Sequence, residues 1–377
     1  MSAHETAWTD IQCLKRVLFS SIRSQSFSAV YVFSFLRDAC IAIEEINNSF
    51  KLTDFNLVDN DIKKIRQNIK IFGSNEKGGN KAVYEKIRTT HEDSFEEWEN
   101  NIGFYLMNEK VLGSTLYNTY IFKGSSFENP YKLTTDDKLK LKFQKLVSET
   151  VPHTLINLEN HLNPDQIIQQ PTIKPIKNEI TRGFDVRAEL FFNDGEYSIM
   201  HQSMIFRLIL TLQELNYVRF IYLNFLNNQD NFFDNYYFSR ILTKNMDTVL
   251  KNLINISKYQ AEDFMTWMNS IKDYELRHKI QGIFEHEHTI FKWIKKYRDM
   301  VHYDIKNPKN NFLNFFMDDS EDVFKKCHTI YHQILLPIRE GILSYIQVNK
   351  QDQYSLFKML YYRRKIKHQR KKRSTQH

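Results

Sequence analysis

A mainly helical fold, made of one or more helical bundles, is predicted by three features of the sequence. The 377 residues include only ten Gly and seven Pro, so long stretches contain no residue that breaks a helix. Apolar residues, among them 29 Phe and 20 Tyr, recur through these stretches at three- and four-residue spacing. Hydrophobic residues make up 42% of the chain, which is enough for a substantial core.

The N-terminal region, residues 1–162, is predicted to be helical with one glycine-containing loop and one short β-hairpin. Thr9, followed by Gln12, fits the N-cap of the first helix. The loop at 72–80 lacks the Lys and Ser or Thr that end a phosphate-binding loop. Residues 104–127 are rich in Tyr, Val, Thr and Ile, for which a hairpin is one interpretation. Further helical patterns cover 28–48, 54–71, 82–100 and 135–162.

A proline-containing segment, residues 163–182, is the clearest predicted boundary in the chain. Pro164, Pro171 and Pro175 prevent a helix from continuing through it. Beyond this linker, residues 183–350 are predicted to form a second, helical domain that begins with a short extended segment at 184–192. Its predicted helices cover 197–227, 239–257, 261–283, 286–303 and 320–348, and residues 351–377 form a basic helix or tail.

Positive charge is concentrated in this tail. The chain has a formal net charge of +7, and the tail contains a basic run without acidic residues, so the remainder is close to neutral. Such a run can neutralise nucleic-acid phosphates, although it is also typical of a solvated terminus or of a segment that adheres to an acidic membrane surface. The candidate RNA-binding residues of the tail are Arg363, Arg364, Lys365, Lys367, Arg370, Lys371, Lys372 and Arg373.

The sequence predicts a protein of the reducing cytoplasm. Cys13, Cys40 and Cys327 are widely spaced and form neither a disulfide framework nor a zinc ribbon. Residues 1–15 lack the apolar core of a signal peptide, and the most apolar helical pattern, 205–226, contains three charged residues. We therefore expect no transmembrane segment. Without hydrolase or dinucleotide-binding fingerprints, we also predict no cofactor.

Residues 293–304 contain the most informative pattern of the sequence. Arg298 and His302 are four residues apart, so on a continuous helix they would lie one turn apart on the same face. That face borders a stripe of apolar residues at helical spacing, and Pro308 ends the helix soon after His302. The stripe consists of Ile290, Trp293, Ile294, Tyr297, Val301 and Ile305.

This pattern resembles the HEPN superfamily of helical bundles. In that family an arginine is followed by a polar residue and then by an apolar residue next to histidine, as in Arg298, Asp299, Val301 and His302. The resemblance covers about residues 197–348. The usual family motif has four to six residues between Arg and His, whereas this chain has three. A family variant with a shifted helix end, a non-catalytic member and a chance match are all compatible with that spacing.

The resemblance implies a metal-independent endoribonuclease or RNA-binding effector in a toxin or antiviral defence setting. It implies that His302 moves protons, that Arg298 stabilises charge on a phosphate, and that Asp299 orients one of them. Tyr297 or Tyr303 could then stack on a base, although tyrosines on an amphipathic helix more often pack in the core or at its rim. RNA, a second copy in a homodimer and a protein regulator or antitoxin are the implied partners.

One other interpretation of the sequence competes with this one. The same residues could form ordinary ion pairs on a helical interaction protein that docks on nucleic acid or an acidic surface through its basic tail.

Two other groups of residues are not assigned a site. Adjacent acids such as Glu44 and Glu45 are interpreted as solvated surface. His328 and His332 share a helical face as zinc ligands can, but no third ligand is evident, so the sequence assigns no metal site.

Overall fold

Helices make up most of the chain, as predicted, and a small antiparallel sheet packs among them. The computed structural model describes residues 2–22, 34–72, 79–94, 101–127, 137–162, 173, 176, 181–226, 232–307, 310–347 and 354–355. The basic run of the tail lies outside these ranges. The predicted linker also lies outside them, except for residues 173, 176, 181 and 182.

Seven α-helices lie among the described residues of the N-terminal region. The segment Leu146–Thr150, between the sixth and seventh helices, is a single π-helical turn within one continuous helical stretch. The helices are α1 (Ala3–Ile22), α2 (Ser34–Ser49), α3 (Asn60–Ile69), α4 (Gly79–Ser94), α5 (Thr115–Ile121), α6 (Asp137–Lys145) and α7 (Val151–Leu162).

The second half of the chain begins with the two longest helices of the described residues. A π-helical turn, Tyr331–Leu335, joins the last two helices. The helices are α8 (Ile199–Phe225), α9 (Phe232–Tyr259), α10 (Ala261–Ser270), α11 (Tyr274–Glu285), α12 (Glu287–Asp299), α13 (Phe312–Asp318), α14 (Ser320–Ile330) and α15 (Leu336–Ile346).

The sheet connects segments that are far apart in sequence. Its strands are β1 (Asn101–Met107), β2 (Lys110–Ser114), β3 (Thr181–Arg187) and β4 (Tyr354–Ser355), in the order β2-β1-β3-β4 with antiparallel neighbours. Strands β1 and β2 form a hairpin within the predicted segment, with positive φ at both turn residues, as its tight turn requires. The remainder of that segment forms α5. Strand β3 overlaps the predicted extended segment and pairs with β1, so one sheet joins the two predicted regions.

The start of α1 differs from the prediction. Thr9 is not an N-cap, because it lies inside the helix and its hydroxyl donates to the Glu5 carbonyl at 2.8 Å. The cap is formed by Ser2 and Glu5 instead. The Ser2 backbone N–H donates to Glu5 Oε2 at 2.6 Å, and the Glu5 N–H donates to Ser2 Oγ at 3.3 Å. This reciprocal pair is a capping box, which satisfies two backbone donors at the helix start.

Two further predicted helices have different boundaries. The pattern at 261–283 is divided into α10 and α11, because Asp273 caps a new helix by accepting from the Leu276 N–H at 3.0 Å. The pattern at 54–71 contains α3, which starts after Asp59, whose side chain accepts from the Asp61 N–H at 2.7 Å.

Helix α8 is the centre of the structure. It is buried on nearly all sides, packs against α9, α15 and β2, and therefore has no single apolar face. Its buried charged residues have partners in neighbouring helices, as in the ion pair between Glu214 and Arg37 of α2. None of the described helices combines the length and the apolar character that a bilayer crossing requires.

A buried polar network joins α1 and the segment after α12 to α9. The Asp10 carboxylate of α1 accepts hydrogen bonds from Tyr236 at 2.8 Å and from Tyr303 at 2.7 Å, and it pairs with Arg240 at 2.6 Å. Burial raises the pKa of the Tyr303 phenol, and the negative charge of Asp10 raises it further. The phenol therefore remains a protonated donor at neutral pH.

Removal of the Tyr303 hydroxyl tests this network. Tyr303→Phe leaves Asp10 without one donor in a buried site, so we expect a loss of about 1 to 3 kcal/mol in the free energy of unfolding. Urea denaturation followed by circular dichroism measures this loss. The control is Tyr274→Phe on α11, where the ring is exposed and the midpoint should not change. Equal midpoints for both variants would contradict the assigned role of the network.

Candidate functional site

Arg298 and His302 line the same surface cleft, which has a volume of about 300 Å³. Its walls come from α2, α3, α9 and the end of α12 with the segment that follows it. The lining residues are Arg37, Ile41, Ala42, Glu45, Arg66, Ile69, Lys70, Arg240, Lys244, Asn245, Asp247, Thr248, Arg298, Val301 and His302.

The helix predicted at residues 286–303 is shorter in the structure, where α12 ends before His302. The helix ends at Asp299, and the N–H groups of Met300 and Val301 bond three residues back, each at 3.1 Å. The Met300 carbonyl accepts a hydrogen bond from the Phe312 N–H at 2.8 Å. Because this tertiary bond uses a carbonyl that a longer helix would need, the chain turns away. His302 therefore lies beyond the helix, and a turn brings it to the cleft.

Arg298 lies against α9 through an ion pair. Its Nε lies 3.4 Å from Oδ2 of Asp247, a residue that is buried in α9, and its Nη1 donates to Asp299 Oδ1 at 3.1 Å. The Arg298 side chain is 38% exposed, so solvent and a ligand can still reach its guanidinium. A planar guanidinium is well suited to bind phosphate oxygens.

His302 is paired with a carboxylate of α2. Its Nδ1 lies 3.4 Å from Glu45 Oε1, and its side chain is 51% exposed. Burial alone would raise the pKa of Glu45, but the hydrogen bond and charge of His302, with the charges of Lys244 and Arg240, outweigh burial and lower it. Glu45 is therefore ionised at neutral pH. An anionic partner at Nδ1 favours the tautomer whose proton is on Nδ1, which leaves the Nε2 lone pair for a substrate.

The cleft contains several cations, most of which have carboxylate partners. Arg66 pairs with Glu44 of α2 at 3.1 Å, and Lys244 pairs with Asp38. Lys70 is exposed and has no ion pair within the described ranges. The most exposed cations of the cleft are therefore Lys70 and Arg298, and the side chains of Arg66 and Lys244 are 16% and 19% exposed.

The other predicted site residues that the structure describes, Asp299 and Tyr303, do not line the cleft. Asp299 is 52% exposed, does not line the cleft and contacts Arg298 through its carboxylate. Tyr303 is only 7% exposed and donates to Asp10 inside the protein, so its ring cannot stack on a base. The tail residues Arg363, Arg364, Lys365, Lys367, Arg370, Lys371, Lys372 and Arg373 lie outside the described residues.

Glu45 and Asp247 are site residues that the sequence did not indicate. Glu45 is next to Glu44, and the pair resembled solvated surface, whereas in the structure Glu44 bonds Arg66 and Glu45 bonds His302. Asp247 lies one helical turn before Lys251, with which it pairs at 2.7 Å, a pattern typical of an ordinary helix surface. Neither position carries a local signal for a contact with residues 298–302.

Comparison of the chain with protein-family models, with curated proteins and with solved structures gave no match.

The pair between Glu45 and His302 predicts a pH-dependent contribution to stability. Because the folded state lowers the pKa of Glu45, the ionised carboxylate stabilises the fold above the unfolded pKa of about 4.3, and this contribution is lost as the pH falls through the folded value. Glu45→Gln should therefore be less stable than wild type at neutral pH, by about 1 kcal/mol. The difference should shrink to near zero in acid.

Thermal unfolding of both proteins between neutral and acidic pH measures this difference. Glu262→Gln on α10, at an exposed position, is the control and should follow wild type at every pH. A difference between wild type and Glu45→Gln that does not change with pH would contradict the role of the ionised carboxylate.

Proposed function

We propose that this chain is an endoribonuclease of HEPN type that cleaves RNA without a metal ion at the cleft between α2, α9 and α12. The observation that carries this proposal is that Arg298 and His302 line one cleft, each next to a carboxylate from another helix. Had either side chain pointed into the core, the pair could not act on one phosphate.

The proposed chemistry needs one base and one cation. His302 Nε2 accepts the proton of a ribose 2′-hydroxyl, whose oxygen then forms a bond to the adjacent phosphorus. The bond from phosphorus to the 5′-oxygen breaks, and the leaving oxygen takes a proton from water. The products are a 2′,3′-cyclic phosphate and a 5′-hydroxyl. Arg298 binds the phosphate oxygens, whose negative charge increases in the transition state.

The carboxylates position these two groups. Glu45 holds the imidazole through Nδ1, and Asp247 holds the guanidinium through Nε. Asp299, which accepts a hydrogen bond from Arg298 Nη1 at 3.1 Å, shares the orienting role with Asp247, and Glu45 takes that role for His302. Lys70 and Arg66, which lie on the α3 side of the cleft, would contact neighbouring phosphates of the RNA strand.

Incubation of RNA with purified protein in EDTA tests the proposal. Wild type should cleave, and Arg298→Ala and His302→Ala should each lower the rate by about 100-fold or more, as loss of a catalytic group does. The matched controls are Arg277→Ala and His278→Ala, an Arg and a His on α11 that do not line the cleft. They should cleave like wild type. The new ends should carry a 2′,3′-cyclic phosphate.

Two outcomes of this experiment would overturn the proposal. One is cleavage that survives in both cleft variants. The other is that folded wild type binds RNA without cleaving it, and that deletion of residues 361–377 abolishes this binding. The second outcome would favour the helical docking protein that uses its basic tail.

We further propose that the chain acts as a homodimer, because motif helices of the resembling family usually meet across a dimer. A protein regulator or antitoxin, and a toxin or defence setting, belong to the same proposal. Growth arrest on expression of wild type, with normal growth on expression of His302→Ala, tests the toxin setting.

Light scattering on wild type and a subunit-mixing experiment test the dimer. Since one chain brings Arg298 and His302 to one cleft, mixing Arg298→Ala with His302→Ala subunits should restore no cleavage. Partial recovery would mean that the active pair is formed between two chains. A monomer at working concentration that cleaves RNA would contradict the dimer and leave the cleft assignment intact.

A further inference from the structure

A second group of side chains outside the cleft has the arrangement of metal ligands. His328, near the end of α14, and His332, in the π-helical turn that follows, have their Nε2 atoms 3.2 Å apart. The Tyr222 hydroxyl of α8 lies 3.1 Å from His328 Nε2 and 3.2 Å from His332 Nε2. We call these three residues the Tyr-His-His cluster. None of them lines the cleft.

Hydrogen bonds alone cannot satisfy this triangle well. An imidazole N–H lies in the ring plane and points in a single direction, so each histidine can donate to only one of its two neighbours. Bonds along the edges of an equilateral triangle would also be strongly bent. The three atoms therefore lie close together without enough well-aligned donors to satisfy all three contacts.

A metal ion fits above this triangle. With sides of 3.1 to 3.2 Å, the centre of the triangle is about 1.8 Å from each atom, slightly less than the 2.0 to 2.1 Å of a zinc–imidazole bond. An ion a little out of the plane would therefore bind all three atoms at normal distances. The remaining positions face solvent, because both histidines are exposed.

The surrounding residues hold the cluster in place. Tyr222 stacks on Tyr331 with ring centroids 4.0 Å apart and an angle of 15° between the planes, and Tyr331 is buried. His332 packs edge-on against the same ring at 4.9 Å.

We propose that the Tyr-His-His cluster binds one divalent transition-metal ion, with Zn²⁺ as the expected ion. Two imidazoles and a phenol oxygen suit Zn²⁺ and Cu²⁺ better than Mg²⁺ or Ca²⁺. Cys327, the neighbour of His328, is buried and takes no part. Within the described residues, no three His, Cys, Asp or Glu side chains come together as a metal site, so the tyrosine completes this one. The ion would link α8 to α14.

Calorimetric titration of the full, EDTA-treated and desalted chain with Zn²⁺ tests the histidines. We expect one saturable site in wild type, and His328→Gln and His332→Gln should each weaken it by at least about tenfold, because each removes one of three ligands that bind the ion together. The control is His278→Gln, an exposed histidine of α11. The tail contains His368 and His377, so a His328→Gln/His332→Gln double variant measures any binding outside the cluster.

Absorption spectroscopy with Cu²⁺ tests the tyrosine. Wild type should show a charge-transfer band from phenolate to copper, and Tyr222→Phe should lose this band while it keeps weaker binding through the histidines. The proposal is overturned if wild type has no saturable site, or if the double variant binds Zn²⁺ as tightly as wild type. If the band persists in Tyr222→Phe, the tyrosine is not a ligand of the metal ion. RNA cleavage in EDTA is measured separately, so neither proposal depends on the other.

Discussion

The position of the cleft depends on one buried carboxylate, that of Asp10. Removing this carboxylate from water is costly, and its contacts with Tyr236, Tyr303 and Arg240 offset the cost. These partners belong to α9 and to the segment after α12, so the carboxylate fixes both against α1. His302 directly precedes Tyr303, and Arg240 itself lines the cleft. The geometry of the candidate site is therefore a consequence of satisfying a charge in the core.

Local patterns were sufficient for the fold class and for most helices, because apolar spacing and the scarcity of Gly and Pro act within a few residues. They failed where a single side chain decides a boundary. Ser2 and Glu5 cap α1 in place of Thr9, and Asp273 divides one apolar pattern into two helices. Such caps contribute about 1 kcal/mol, enough to decide between competing helix ends.

The sequence indicated only some residues of the candidate site, and the reason is a different one. Arg298 and His302 lie close together in the chain, so their pattern can be read locally. Glu45 and Asp247 reach them from α2 and α9, and Tyr222 reaches His328 and His332 from α8. Contacts of this kind depend on how helices pack, and no spacing rule within one segment encodes them. The burial of Tyr303 is of the same kind, since its partner Asp10 lies near the opposite end of the chain.

The structure also changes the meaning of the short spacing between Arg298 and His302. On a continuous helix, three intervening residues would fix the two side chains one turn apart, and a different count would place them differently. Because α12 ends at Asp299 and the bond from Phe312 to Met300 redirects the chain, the count of residues no longer determines their relation. What determines it is the carboxylate beside each side chain, Asp247 for Arg298 and Glu45 for His302. A motif of a different length could present an arginine and a histidine to one phosphate in the same way, so the spacing by itself does not argue against the proposed chemistry.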